Sequence, residues 1–189
     1  MDKELEKVEG LESMKWKGKY IATAKIYAKE IERTMGIPYE VTIIQACLES
    51  GYGKSAIGGN HFGIKGGSGG DNTARTTEYF TGDEFHAWKK KNPSLGKDVK
   101  FKGEGSHKYS LPDNFRSYGS MKSSFIGYGK FITKPKNGKP SGRYSGAFAY
   151  KDNPREFLRT VIGAGYATDP NYMNKADKIA RKLDLDGWS

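Results

Sequence analysis

Cysteine is almost absent from the chain. Cys47 is the single cysteine among 189 residues, so no intramolecular disulfide can form. It lies among apolar residues, where a small thiol is expected to pack as a core residue. The three histidines, His61, His86 and His107, lie far apart and have no spacing typical of metal ligands. The sequence therefore predicts no disulfide framework, no bound metal and no cofactor.

Long hydrophobic runs are also missing. No apolar run reaches the roughly 18 residues that indicate a transmembrane helix, and the start, MDKELEKVEG, lacks the apolar core of a secretory signal peptide. We therefore expect neither a membrane span nor a signal peptide in this chain. Residues 1–17 are charged and poor in apolar side chains, which predicts a flexible leader. Residues 18–189 are long enough for one well-buried core, and we expect a single domain that is monomeric.

Negative charge is in short supply. The chain has 22 Asp and Glu residues against 32 Lys and Arg residues, which gives a formal net charge of +10. Such an excess favours polyanionic partners, namely cell-wall polymers, nucleic acid or an anionic membrane surface. Nucleic acid is disfavoured because the basic residues are scattered, apart from Lys89–Lys91, and no nucleic-acid-binding signature is present. An anionic cell-wall surface is the expected partner, and a merely solubilising surface is the alternative.

The most informative stretch is VTIIQACLESGYGKS, at residues 41–55. Its apolar positions recur at helical spacing, and further apolar residues cover most of the remaining surface, which predicts a helix buried on nearly all sides. One polar stripe remains, again at helical spacing. Because a buried helix with a polar stripe needs a partner for those groups, we expect a cleft beside it. The stripe consists of Thr42, Gln45, Glu49 and Tyr52.

Glu49 is the acid in this stripe and should lie in the last turn of the helix. Gly51 and Gly53 follow it and can adopt the positive-φ conformations that end helices. The negative end of the helix dipole and partial burial both favour the protonated carboxyl group. A carboxyl group that keeps its proton near neutral pH can serve as a general acid. A glutamate at the end of a helix, paired with a lysine, is the alternative.

Five short motifs occur in one order along the chain. They are LESGYGKS at 48–55, NHFGIK at 60–65, TTEY at 76–79, FRSY at 115–118 and GYATDPNY at 165–172. Together they resemble family 73 of the glycoside hydrolases, bacterial and phage N-acetylglucosaminidases that cut peptidoglycan. The resemblance extends from about Tyr20 to Leu183. The sequence departs from the family pattern at His61 and in a long insertion at 83–114.

The resemblance implies an α+β, mostly α, lysozyme-like fold with a small β-hairpin lobe facing the catalytic helix. It also implies hydrolysis of the β-1,4 bond after N-acetylglucosamine in peptidoglycan glycan strands, with Glu49 as general acid. Alternating residues predict a hairpin, with strands at 72–80 and 84–88 joined by turn residues 81–83. Glu78 lies on its first strand and would be the second catalytic carboxylate, unless it simply faces solvent.

Further site residues follow from the resemblance and from side-chain chemistry. The family has an active-site tyrosine in this region, which corresponds to Tyr166 or Tyr172. We expect Tyr166 to be the catalytic residue and Tyr172 to bind substrate, and a phenol buried for packing is the alternative. Asn60 has donors and acceptors suited to an acetamido group, although it can equally form a turn. Phe62 either borders the substrate or fills the core under its loop. Gln45 and Tyr52, on the polar stripe, complete the expected substrate-binding set.

Other elements can be predicted from periodicity and capping residues. Helices are expected from Tyr20 to Gly36, from Tyr118 to Ile132, and after each of the pairs Asn153-Pro154 and Asp169-Pro170. A short strand is expected at Val99–Lys102, within the insertion.

Two other functions fit the same observations. A muramidase or lytic transglycosylase would share the fold and the acid but cleave the other linkage. A non-catalytic wall-binding module of a phage or secretion apparatus would use the basic surface alone. The sequence leaves inverting and substrate-assisted mechanisms open. In each case we expect the protein to act outside the cytoplasm, at the cell wall, in the periplasm or in a phage virion.

Overall fold

The computed structural model describes residues 15–66, 72–79, 82–91, 93, 100–101 and 108–188. A helical body contains the buried core, and a small antiparallel sheet lies beside it. Within these residues no helix is long and apolar enough to cross a membrane.

The helices are α1 (Trp16–Met35), α2 (Tyr39–Ser50), α3 (Gly82–Lys91), α4 (Met121–Thr133), α5 (Pro154–Gly163) and α6 (Tyr172–Leu183), with short 3-10 helices at Ile57–Gly59 and Ser145–Tyr150. The strands are β1 (Asn72–Tyr79), β2 (Lys100–Phe101) and β3 (Lys108–Phe115).

Helix α1 packs one apolar stripe against the core. Its buried residues are Tyr20, Ala24, Tyr27, Ala28 and Ile31, which follow the helical period. The helix ends where Gly36 takes a left-handed conformation, with φ of 71°, and donates its N–H to the carbonyl of Glu32. The predicted helix and its end are confirmed.

Helix α2 is the centre of the body and contacts α1, α5 and α6. Every residue from Glu40 to Cys47 is buried, so the predicted burial on nearly all sides is confirmed. Gly51 ends the helix in a left-handed conformation, with φ of 55°, and donates its N–H to the carbonyl of Cys47. Glu49 therefore lies in the last turn, as predicted.

Three further helices complete the body, and their starts follow local capping. Ser120 caps α4 by accepting a hydrogen bond from the N–H of Ser123, so this predicted helix begins at Met121. Asn153 caps α5 in the same way, and Pro154 occupies its first position, as predicted. The predicted start of the last helix at Asp169-Pro170 is wrong by two residues. The Asp169 carboxylate accepts the N–H of Asn171 and forms a turn before α6.

The sheet has the order β1-β3-β2 and is antiparallel. Its register runs from Asn72 opposite Phe115 to Tyr79 opposite Lys108. The predicted hairpin is wrong, because residues 84–88 belong to α3 and the partner of β1 is β3. Three lysines in the last turn of α3 complement the negative end of the helix dipole. The strand predicted at Val99–Lys102 is confirmed by β2.

Candidate active site

A cleft of about 670 Å³ lies beside the C-terminal end of α2. Two carboxylates of the described residues line it, Glu49 and Asp169. Asp169 forms an ion pair with Lys175, whereas Glu49 lies at the end of the buried helix. The remaining lining residues are Leu48, Ser55, Ile57, Asn60, Phe62, Gly63, Ile64, Lys65, Phe115, Phe131, Arg143, Tyr144, Gly165, Tyr166, Ala167, Thr168, Tyr172 and Lys175.

The carboxyl group of Glu49 lies between the phenol of Tyr172 and the backbone of Gly63. Its Oε1 accepts a hydrogen bond of 2.6 Å from the hydroxyl of Tyr172, on α6. Its Oε2 lies on the side of Gly63, where a Cβ atom would approach it to 3.4 Å. Gly63 also has a φ of +62°, a conformation that side-chain-bearing residues rarely adopt. Glycine at 63 thus leaves room beside Oε2.

Tyr172 is the residue that holds the Glu49 carboxyl group. Only 5% of Tyr172 is exposed. Burial, and then the neighbouring charge of Glu49, raises the pKa of this phenol well above its ordinary value, and the amide of Gln45 partly opposes the rise. The phenol therefore stays protonated and acts as a donor to Oε1. This arrangement fixes one carboxyl oxygen of Glu49 by a hydrogen bond.

Tyr166 lines the cleft, but its hydroxyl group is hydrogen-bonded to the protein backbone. It donates a hydrogen bond of 2.9 Å to the carbonyl of Phe62. Its ring lies 6.1 Å from that of Tyr144 and 6.3 Å from that of Phe131, measured between ring centroids. Burial, followed by the charge of Glu49, raises the pKa of Tyr166 well above its ordinary value. Of the two candidate tyrosines, the structure thus brings Tyr172 into contact with Glu49 and places Tyr166 on the wall.

Asn60 is committed to the loop that it begins. It is 3% exposed, and its Nδ2 donates to the carbonyls of Ile64 and Arg116. Its Oδ1 accepts the N–H groups of Phe62 and Ile64. These four hydrogen bonds use both its donors and its acceptor, so the structure supports the turn-forming alternative. The expected contact of Asn60 with an acetamido group stays a prediction.

Gln45 and Phe62 lie beneath the cleft. Gln45 is fully buried and accepts a hydrogen bond from the hydroxyl of Tyr128, so its expected contact with substrate is corrected. Phe62 borders the cleft but is only 2% exposed, and its ring stacks on that of Tyr128 at 4.1 Å. Phe62 is therefore mainly a core residue, which was the alternative for this position.

Tyr52 lies outside the cleft, and its expected role is corrected as well. Its ring packs against Tyr20 and lies under the ammonium group of Lys17. The reason is local. Gly51 and Tyr52 both have positive φ, 55° and 61°, so the chain leaves the helix axis before Tyr52. A polar stripe calculated for a continuing helix cannot extend to that residue.

A hydrogen-bonded cluster supports the end of α2 from below. The hydroxyl group of Tyr20 lies 3.0 Å from Ser50 Oγ and 3.1 Å from Nδ1 of His61, and it donates to the carbonyl of Ala46. His61 is 8% exposed, and burial lowers the pKa of its imidazole. Gly53 lies against the ring of Tyr20 with no space for a Cβ atom. The cluster therefore ties α1, the residue after Glu49, and the loop at 60–64 together.

Glu78 lies on β1, where its backbone is opposite Tyr109. The structure does not describe its side chain. The sheet adjoins the cleft at Phe115, which lines the cleft and is opposite Asn72. Glu78 is six residues further along β1, which is about 20 Å at the usual rise of an extended strand. The structure therefore places the end of the sheet, rather than the backbone of Glu78, at the cleft edge.

Sequence reasoning missed two features of the site. It did not single out Gly63, although a glycine between the two buried apolar residues Phe62 and Ile64 is a signal for close approach. It also missed the aromatic wall formed by Phe131, Tyr144 and Tyr166, whose members come from separate elements. No sequence spacing could have predicted that wall.

Comparisons with known sequences agree on one family. A family model described as mannosyl-glycoprotein endo-beta-N-acetylglucosaminidase matches residues 25–185. Peptidoglycan hydrolase FlgJ of Pseudomonas aeruginosa is 33% identical over 174 residues, which cover 87% of this chain and 36% of that protein. Exo-glucosaminidase LytG of Bacillus subtilis is 26% identical over 151 residues, 78% of this chain and 45% of that protein. The chain spans less than half the length of these relatives.

Solved structures have the same fold. A peptidoglycan hydrolase mutant from Sphingomonas sp. A1 matches with a TM-score of 0.61 and 26% identity, over 85% of this chain and 90% of that one. A C-terminally truncated glycoside hydrolase domain of Salmonella typhimurium FlgJ matches with a TM-score of 0.57 and 22% identity, over 89% and 97% of the two chains. The predicted mostly α, lysozyme-like fold with a small β-lobe is thereby confirmed.

Proposed function

The chain belongs to the endo-β-N-acetylglucosaminidases of glycoside hydrolase family 73, and from this membership we propose that it hydrolyses the β-1,4 bond after N-acetylglucosamine in peptidoglycan. The observation that carries the proposal is the carboxyl group of Glu49, held by Tyr172 at the base of an open cleft. The names of the FlgJ relatives support peptidoglycan as the substrate. The basic surface is consistent with an anionic wall.

Glu49 is proposed as the general acid. In this mechanism the proton leaves Oε2, on the open side towards Gly63, and passes to the oxygen of the departing sugar. The carboxylate that remains is stabilised by the hydrogen bond from Tyr172 to Oε1. Proton transfer of this kind contributes about 10²- to 10⁴-fold to the rate of a reaction. Tyr166 is proposed to shape the cleft wall through its hydrogen bond to Phe62.

The second catalytic group is proposed to be the 2-acetamido group of the substrate. Paired carboxyl groups lie about 5 Å apart in retaining glycosidases and roughly 6.5–9.5 Å apart in inverting ones. The register of β1 supports a larger separation, since Glu78 lies six residues beyond the pair at the cleft edge. The acetamido oxygen can attack the anomeric carbon from within the substrate, which requires no protein nucleophile. Glu78 would then stabilise the developing charge once the sheet closes over the glycan.

The setting of the protein follows from its substrate. We propose that residues 18–189 form one glucosaminidase domain that acts as a monomer outside the cytoplasm, at the wall, in the periplasm or in a phage particle. The charged leader predicted at 1–17 gives way to α1 at Trp16, and residues 1–14 lie outside those that the structure describes. Peptidoglycan glycan strands and the anionic wall around them would be its partners.

Product analysis tests the proposed bond. Purified peptidoglycan is digested, the products are reduced with borohydride, and the reduced sugar at the new end is identified. We expect reduced N-acetylglucosamine. Reduced N-acetylmuramic acid would indicate a muramidase, and an anhydro-sugar would indicate a lytic transglycosylase. Binding to the wall without any released product would indicate a non-catalytic module.

A further inference from the structure

The net positive charge of the chain comes mainly from one segment that lacks acidic residues. Residues 114–151 contain eight basic side chains and no Asp or Glu, so this fifth of the chain supplies most of the net charge of +10. The segment includes α4 and the connection that follows it. A surface region with many charges of one sign attracts ligands of the opposite charge.

Part of this segment forms a groove next to the cleft. The groove has a volume of about 480 Å³. We call it the basic groove and define it by Arg116, Tyr118, Lys130, Phe131 and Lys134. The three cationic residues are exposed, and in the part of the chain that the structure describes none of them forms an ion pair. Their charges are therefore available to a ligand.

The basic groove adjoins the cleft. Phe131 lines both depressions. Arg116 lines the groove, and its neighbour Phe115 lines the cleft. A molecule lying in the cleft therefore has the basic groove directly beside it.

The groove has an apolar floor as well as a cationic rim. The ring of Tyr118 lies on the backbone of Gly127, where a Cβ atom would approach Cε1 to 2.4 Å. Burial raises the pKa of Tyr118, so its phenol is neutral, although Arg116 partly opposes the rise. Ile126 and Phe131 add apolar surface. Cations around an apolar floor suit a ligand that has both carboxylates and aliphatic side chains, whereas a bare phosphate chain would use only the cations.

We propose that the basic groove binds the peptide side chains of peptidoglycan, with their free carboxylates directed towards Arg116, Lys130 and Lys134. These peptides branch from alternate sugars of the glycan, so a strand in the cleft presents them beside it. The proposal rests on the proposed function for the identity of the polymer. It adds that the protein recognises the peptide as well as the sugars.

The test removes two charges from the groove and two from elsewhere in the same segment. Lys130→Gln/Lys134→Gln is compared with Lys136→Gln/Lys139→Gln, whose exposed lysines do not line the groove and whose loss changes the net charge equally. All proteins also carry Glu49→Gln, so that the walls stay intact. Binding is measured by co-sedimentation at low salt with walls stripped of phosphate-containing polymers. The stripped walls are prepared in two forms, with their peptides and after enzymatic removal of the peptides, and unstripped walls serve as a third sample.

We expect the groove variant to bind peptide-bearing walls about three- to tenfold more weakly, because exposed ion pairs each contribute modestly. Its binding to peptide-free glycan should match that of the control variant. The proposal would be overturned if the groove variant lost the same affinity for peptide-bearing and peptide-free walls. It would also be overturned if the groove and control variants lost the same affinity for peptide-bearing walls. A loss that appears only on walls that retain their phosphate-containing polymers would overturn it as well, since the phosphates would then be the ligand.

The result is separable from the proposed function because sedimentation measures binding without cleavage. If the unmodified protein releases no sugar product but the groove variant shows the peptide-dependent loss, the proposed hydrolysis fails and the groove proposal stands. If the unmodified protein cleaves the glycan and the groove variant binds like the control, the groove proposal alone fails.

Discussion

The two sides of the cleft are built in different ways. The helical side presents Glu49 from a helix whose residues 40–47 are all buried, and Tyr172 holds its carboxyl group from α6. The sheet side joins the body near one end, through a bridge between Lys65 and Phe115 and a hydrogen bond from Gly66 to Asn114. The acid is therefore held by packing, whereas the position of Glu78 depends on the angle of a sheet attached near one end.

This difference suggests a division of labour. A general acid needs a constant environment, which a buried helix provides because its side chains cannot move without opening cavities. A group that acts only after substrate is bound can be carried by an element that moves. A small rotation of the sheet about Phe115 would displace Glu78 much more than Asn72, since Glu78 lies six residues further along the strand.

The strongest test of the helical side is Glu49→Gln. Glutamine is nearly the same size but cannot deliver a proton, so we expect wall lysis to fall by about 10²-fold or more with the fold unchanged. Release of soluble muropeptides measures the loss, and circular dichroism checks the fold. Glu156→Gln on α5 is the matched control and should retain activity. A folded Glu49→Gln protein with ordinary activity would remove Glu49 from the mechanism.

The corresponding test of the sheet side is Glu78→Gln. We expect turnover to fall by about 10- to 10³-fold, less than for Glu49→Gln, with little change in KM, because the interaction is made mainly in the transition state. Steady-state kinetics on a soluble glycan measures both quantities. Full activity would show that this carboxylate takes no part in the reaction.

The configuration of the first product complements this measurement. NMR of the freshly formed reducing end distinguishes retention from inversion. Retention supports attack by the acetamido group, and inversion supports Glu78 as the base that activates water. Inversion would require the sheet to bring Glu78 within reach of the attacking water, which would sharpen the contrast between a fixed side and a movable side.

Gly63→Ala probes the space beside the acid. Alanine in the left-handed conformation costs about 1–2 kcal/mol, and its methyl group would crowd Oε2 of Glu49. We therefore expect a lower melting temperature and a fall in turnover of about tenfold. Gly119→Ala is the control, because its Cβ atom would meet no other atom within 4 Å and its φ is not positive. A Gly63→Ala protein that is destabilised but fully active would show that Oε2 does not need this space.

Tyr172→Phe removes the donor to Glu49 and leaves the ring. We expect turnover to fall about three- to tenfold, because the carboxylate that forms after proton transfer loses one hydrogen bond. The basic limb of the pH–rate profile should move to higher pH, since the lost donor favours the ionised carboxylate. Tyr166→Phe, whose hydroxyl group binds the carbonyl of Phe62, should leave that limb in place. Equal shifts in both variants would argue against a specific role for Tyr172.

The smallest expected effect concerns stability and His61. Burial lowers the pKa of His61 in the folded protein below its ordinary value of 6.5. Above pH 6.5 the imidazole is neutral in both states, and below it the unfolded chain takes up a proton more readily than the folded one. Stability is therefore lost as the pH falls from 6.5 towards the lowered pKa. Thermal unfolding should show a larger fall in melting temperature between pH 7 and pH 5 for the unmodified protein than for His61→Asn. Parallel curves would contradict this account.

Several parts of the site could be predicted because they depend on local sequence. The period of apolar residues located α2 and the glycine that ends it, so Glu49 was correctly placed in the last turn. Tyr52 was misplaced because the helical period was extended past Gly51, where the backbone turns away. The hydrogen bonds of Asn60 could not be predicted, because one of its partners is the carbonyl of Arg116, 56 residues away.

By itself, the sequence determined the buried central helix, the acid at its end, the single core cysteine and the family. Each of these depends on the spacing and chemical type of residues that are near one another along the chain, or on short motifs in a fixed order. The tertiary structure decided the partner of β1, the contact of Tyr172 with Glu49, and the alignment of the basic groove with the cleft. These features join segments tens of residues apart, and side-chain spacing along one segment carries no information about which distant segment it will meet.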